Sequence, residues 1–218
     1  MRRSFTFRSR VQTAAALLDG RSGRLLDVGA RSKGLGALVE SSRLSYFSAD
    51  VAPGHDFQVD LEKPLPFEDA SFDHVVALDV LEHVEKIHAA FRELSRVCRE
   101  TFLLSLPNMA SLPRRLSFLA SGSLRTGKYD LLPYHQGDRH RWLTVYAQIN
   151  RFVTENAAAC GMRVERMVEE TDGNLPLRLT GWALGTARLP LRGWMTGRCL
   201  YLLSRRGEAG TRRDPRVG

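Results

Sequence analysis

Three observations predict an α/β fold, a mostly parallel sheet with helices on both faces. Short apolar runs alternate with helical periodicities over residues 24–106, the pattern of strands joined by crossover helices. The stretch Phe72–Leu78 contains an uninterrupted Val75-Val76-Ala77-Leu78, as expected of a strand buried on both faces. Asp27-Val28-Gly29 ends another apolar run and opens a glycine-bearing loop before a helical pattern. The chain is expected to turn there from strand into helix.

In chain order, residues 1–23 are basic and then helical in character, with Val11, Ala14, Ala15, Leu17 and Leu18 spaced for one face before Gly20 and Gly23. Strands are expected at 24–28, 44–50, 57–61, 72–78 and 101–106, with a helix at 35–41. A second helix is expected at 85–99, where Ile87, Ala90, Phe91, Leu94 and Val97 recur at three-and-four spacing. From 107 to about 143 the pattern breaks into a long stretch punctuated by Pro113, Gly122, Gly127 and Pro133, the mark of a lid or substrate insert. A helix at 144–159, stopped by Gly161, and a strand at 162–169 follow. Residues 170–198 read as a second, helical insert, and 199–204 as the last strand. One domain over 1–204 is expected, with a disordered basic tail at 205–218.

The 218 residues carry a net charge of +8, mostly from arginine, because Lys33, Lys63, Lys86 and Lys128 are the only lysines. Such a balance suits nucleic acid, an anionic membrane surface or a phosphorylated substrate, and equally a biased genome composition. Residues 13–18 are too brief an apolar run for a signal peptide and Asp19 interrupts them, so a cytoplasmic location is expected. No stretch reaches the roughly eighteen uncharged apolar residues that cross a membrane. Cys98, Cys160 and Cys199 are isolated, which indicates neither a disulfide framework nor a cysteine zinc site.

The loop Asp27-Val28-Gly29-Ala30-Arg31-Ser32-Lys33-Gly34 combines an acidic strand end, suited to an ammonium group, with glycine that lets backbone approach a ligand. By itself it fits a tight turn as well. Asp50 ends the next strand roughly twenty residues later, placed to accept from both hydroxyls of a ribose. The most specific stretch is Val59-Asp60-Leu61-Glu62-Lys63-Pro64-Leu65-Pro66-Phe67-Glu68-Asp69-Ala70-Ser71-Phe72-Asp73-His74-Val75-Val76, continuing through Ala77-Leu78-Asp79-Val80-Leu81-Glu82-His83-Val84.

That stretch resembles the class I S-adenosylmethionine-dependent methyltransferases, in particular the small-molecule, methyltransferase type 11-like branch with LPF-x-D-x-SFD-x-V before D-x-LEHV. The likeness covers residues 24–107 well and the rest in outline, including Leu106-Pro107-Asn108. It implies a Rossmann-like sheet of seven strands, the last antiparallel, and S-adenosylmethionine bound across the first strands. Carried over by position, Asp27, Gly29, Ala30, Arg31 and Gly34 would line the methionine part, Asp50 and Val51 the ribose, and Asp60 with Leu61 the adenine. Asp79 and Val80 would close the far side. One departure stands out: Arg31 occupies the place of the family's usual second glycine, with Gly34 and Gly36 later, so a loop of different shape is expected.

Asp79, Glu82 and His83 are three and four residues apart and would share one face of a helical turn. In a related quinone O-methyltransferase group a similar acidic-x-x-Glu-His stretch binds a divalent metal. The reading preferred for this chain is that Glu82 and His83 cap a helix and brace the site wall, with no metal. Methyl transfer needs a nucleophile held in line and its proton removed, for which histidine suits. His83, His135 and His140 are the candidates, the last two within Tyr134-His135-Gln136-Gly137-Asp138-Arg139-His140-Arg141-Trp142, a cluster fit to cover an anionic or sugar-like acceptor. Alternatively His140 and Trp142 anchor this loop to the core. Residues 175–194 set Leu175, Leu179 and Trp182 on one helical face among arginines, suiting either peripheral membrane contact or a packed helix pair.

The resemblance implies methyl transfer to oxygen, less readily nitrogen, of a small-molecule, glycan-like or lipid-linked acceptor. Two alternatives stay open. RNA methylation is supported by charge alone, because Leu106-Pro107-Asn108-Met109 stands where base N-methylating enzymes carry an NPPY-like tetrad. A partner protein that keeps the fold without the cofactor is the other, with Arg31 its best sign.

Overall fold

The computed structural model describes residues 1–6, 8–40, 43–124, 126–129, 139–171 and 192–205. His135, most of the second insert and the basic tail lie outside them. Eight strands form one sheet: β1 (Arg2–Thr6), β2 (Ser22–Val28), β3 (Arg43–Asp50), β4 (Phe57–Gln58), β5 (Phe72–Leu78), β6 (Cys98–Pro107), β7 (Met162–Thr171) and β8 (Thr196–Arg205). Their order is β1-β7-β8-β6-β5-β2-β3-β4. β8 runs antiparallel to both β6 and β7, and every other pairing is parallel.

The expected sheet of seven strands therefore gains an eighth. β1 pairs with β7 over Arg2 to Thr6, and its side chains are exposed or half-buried. No apolar alternation announces such a strand, because it forms by satisfying the open edge of β7 rather than by burying a face. The expected third strand also shortens to Phe57–Gln58.

Helices α1 (Arg10–Leu18), α2 (Gly34–Val39), α3 (Ile87–Val97), α4 (Leu112–Ser121), α5 (Tyr146–Ala159) and α6 (Arg192–Met195) surround the sheet. α1 starts at a reciprocal cap between Ser9 and Gln12. Alternate residues of each central strand face opposite sides. Val75, Ala77, Phe102 and Leu104 pack with Phe91, Leu94, Ile149 and Val153 of α3 and α5. Val76, Leu78 and Leu103 pack with Ala14, Leu18, Leu35 and Val39 of α1 and α2. The first insert, expected as irregular, contains α4.

The Leu65–Phe72 half of the segment that carries the resemblance is structural. Phe67 and Phe72 stack edge-on at 5.1 Å and join Phe57 and Phe47 in one aromatic cluster. Arg96 of α3 donates to the Phe67 and Leu65 carbonyls and to Asp69 and Glu93, while Glu93 accepts the Leu65 N–H. This clasp holds the Leu65–Asp69 loop to α3 and so fixes the start of β5. The order of strands reverses between β2 and β5, where loops diverge and leave a crevice at the carboxyl ends.

Candidate active site

Loops at the carboxyl ends of β2, β3, β5 and β6 enclose a cavity of about 840 Å³. Asp27 closes β2 at 5% exposure, and the Tyr46 hydroxyl donates to it at 2.8 Å. Burial above all, together with the Asp50 charge, pushes its carboxyl up to about 6. Gly29 follows at φ +74°, its N–H on the Ala49 carbonyl at 2.8 Å. A Cβ there would lie 2.3 Å from Val80 Cγ2, so glycine is what lets the β2 loop rest on the β5 loop.

Arg31, at the place of the family's second glycine, adopts φ +41°, and Lys33 φ +54°. The turn a glycine would make cheaply is thus kept by residues that strain to make it. Asp50 pins it by accepting the N–H groups of Arg31 at 3.2 Å and Ala52 at 3.1 Å. Asp27, Gly29, Ala30, Arg31, Gly34, Asp50, Val51, Asp79 and Val80 all line the cavity. Asp60 and Leu61 do not. Asp60 accepts the Glu62 N–H and sits 3.3 Å from Lys63, while Leu61 is buried in the core.

Two carboxylates on adjacent strand ends beside close-approaching backbone form a donor and acceptor set that fits S-adenosylmethionine. A carboxylate can accept both hydroxyls of a ribose diol, and an acidic wall favours ammonium and sulfonium cations.

Asp79 takes φ +55° at the end of β5. Arg198 Nε lies 3.0 and 2.8 Å from its two oxygens, Ser105 Oγ donates at 2.6 Å, and Arg10 stands 3.6 Å away. Arg198 also donates to Glu170 at 2.6 Å. Sequence reasoning missed Arg10 and Arg198. For Arg198 the available signal was an arginine inside an otherwise apolar strand, which asks for a buried partner; Arg10, at the start of α1, carried no such signal.

Glu82 and His83 lie in a 3-10 turn, Leu81–His83, and not on a helical face shared with Asp79. The insert is fastened to this turn by backbone: Arg141 N donates to the Glu82 carbonyl at 2.8 Å and Trp142 Nε1 to the Val84 carbonyl at 2.8 Å. That brings His140 edge-on to His83 at 4.6 Å. His83 Nδ1 faces the Arg139 carbonyl at 2.9 Å, an acceptor, so it carries the proton. Tyr129 donates its hydroxyl to the Trp142 carbonyl at 2.6 Å, so His140 Nδ1 donates to the Tyr129 hydroxyl oxygen at 3.1 Å. Both Nε2 atoms then turn toward Glu82, 4.0 and 3.9 Å away. Glu82 is 1% exposed and its carboxyl oxygens have no hydrogen-bond partner among the described residues. Burial, then the Asp79 charge, holds its carboxyl well above the usual range. The three residues are spaced closely enough to share one metal ion.

Residues 37–104 match the family model of a methyltransferase domain. No curated protein sequence matches the chain. Among solved structures, a methyltransferase candidate from Bacillus halodurans C-125 superposes with TM-score 0.58 at 13% identity, covering 92% of this chain and 100% of that one. Magnesium protoporphyrin IX methyltransferase from Synechocystis PCC 6803, solved with bound SAH, gives 0.54 at 16% identity over 89% and 81%. The 4+2 cyclase SpnF gives 0.53 at 17% identity over 90% and 80%. Likenesses of this degree speak for the fold. The family match runs from α2 into β6, through three of the strands whose ends carry the cavity, so residues 37–104 match a methyltransferase domain and the sheet as a whole has the fold of the solved methyltransferases.

Proposed function

We propose that this methyltransferase acts on an oxygen of a small-molecule or lipid- or glycan-linked acceptor, with His83 and His140 managing the acceptor proton. The observation that supports it is one cavity lined by Asp27, Gly29 and Asp50 on one wall and by Glu82, His83 and His140 on another. When bound, S-adenosylmethionine supplies an electrophilic methyl group. Asp50 and Asp27 would hold and orient the cofactor, with Gly29 and Val80 lining the wall beside them. With Nδ1 as the donor on each ring, Nε2 is the atom that would take up the hydroxyl proton. Tyr129 and the Arg139 carbonyl keep the rings in that orientation.

Calorimetric titration with S-adenosylmethionine and S-adenosylhomocysteine tests the cofactor assignment. Micromolar affinity, on the order of −8 kcal/mol, is expected, and Asp50→Ala should weaken it at least about tenfold, the loss of roughly one charge-assisted hydrogen bond. No heat at millimolar ligand would leave a scaffold that has kept only the fold. His140→Gln should lower turnover by about 10² with cofactor affinity intact; unchanged turnover would return His140 to anchoring the loop.

A further inference from the structure

α4 is the one helix among the described residues that has no buried residue. Leu112, Leu116 and Leu119 recur on one face at the spacing that normally meets a core. Here that row meets solvent: Leu116 is 56% and Leu119 81% exposed, and Phe118 adds 54% on the flank. Packing on the domain does not explain the helix.

Its charge points to what covers it. Residues 101–129 contain Arg114, Arg115, Arg125 and Lys128 and no acidic residue. Arg115 lies over the ring of Trp194, 5.1 Å from its centroid, which sets α6 beside α4 with the indole 43% exposed. α4 also borders the cavity, for Arg114 and Met109 line its wall and touch at 3.1 Å. Leucines and phenylalanine to enter an apolar phase, an indole at the boundary and a basic stretch without acidic residues are the composition of an interfacial helix. RNA would be met by the cations but offers no apolar phase for the leucine row.

We propose that α4, with Trp194, docks the cavity mouth on an anionic lipid bilayer, so that the enzyme takes its acceptor from the membrane surface. The surface assignment stands apart from the methyltransferase reading, and only the source of the acceptor rests on that reading.

The test is sedimentation of the full chain with vesicles of phosphatidylcholine alone and of phosphatidylcholine mixed with phosphatidylglycerol, beside a titration with S-adenosylmethionine. Wild type should pellet with the mixed vesicles and not with phosphatidylcholine. Leu116→Glu with Leu119→Glu should lower that partition about tenfold or more and leave cofactor affinity and circular dichroism unchanged. Should the double variant not fold, Leu119→Ser is the milder probe and should still lower partition severalfold. The proposal falls if wild type stays in the supernatant, if folded variants pellet as wild type does, or if single-stranded RNA binds both with equal affinity and displaces both from vesicles. A wild type that pellets without binding cofactor would keep the surface and remove the methyltransferase activity.

Discussion

Asp27 shows how one residue can be legible in the sequence and misjudged in its physics. Its place at a strand end before glycine marks it as a site residue, yet its pKa depends on neighbours the sequence does not reveal. Its folded pKa of about 6 lies above the ordinary 3.8, so the folded state binds the proton more tightly. The sign follows: this group's contribution is best below about pH 4 and is lost as pH rises to about 6, a cost on the order of 3 kcal/mol at neutral pH. Asp27→Asn should gain stability over wild type between pH 4 and pH 7 in urea denaturation, while weakening cofactor binding. A stability difference constant across that range would contradict the burial argument. Gly29→Ala faces both a positive φ and Val80 at 2.3 Å. It should lose about 1–3 kcal/mol of stability and at least tenfold in cofactor affinity by titration.

At the scale of elements, the motif that carries the resemblance divides: its Asp79-to-His83 half lines the cavity, and its Leu65-to-Phe72 half does not. Leu65, Phe67 and Phe72 serve packing, and Arg96 clasps their loop. Asn108, read only as part of a resemblance, is a hub. Fully buried, it donates to the Gly193 and Thr196 carbonyls at 2.7 and 2.6 Å and accepts from Ala110 and Tyr146 N–H at 3.1 Å each. Every hydrogen-bonding position of the amide is used, and the four partners begin or end α4, α5, α6 and β8. Asn108→Ala should therefore destabilise by more than about 2 kcal/mol, read as a fall in thermal midpoint that is larger than for Arg96→Met. A smaller effect would mean water replaces the amide.

For the whole molecule, topology explains what periodicity did not. β1 covers the outer edge of β7, and removing residues 2–6 should expose those backbone groups to pairing between chains. Size-exclusion chromatography of that deletion is expected to show dimers or larger species where the full chain shows fewer. An unchanged elution would mean that the β7 edge protects itself. Among the described residues no helix is long and apolar enough to cross a membrane.

The sequence by itself determined the alternation of strands and helices, the strand Phe72–Leu78 to the residue, and the acidic strand ends at Asp27 and Asp50. These depend on local periodicity and on turns, whose physics is contained within a few neighbouring residues. Only the tertiary structure decided that β1 joins the sheet, that Arg198 reaches Asp79 across 119 positions, and that His140 comes to Glu82 through backbone bonds from the insert. Such contacts are made between segments distant in sequence, and their partners are selected by the geometry of the assembled sheet, which no window of the sequence contains.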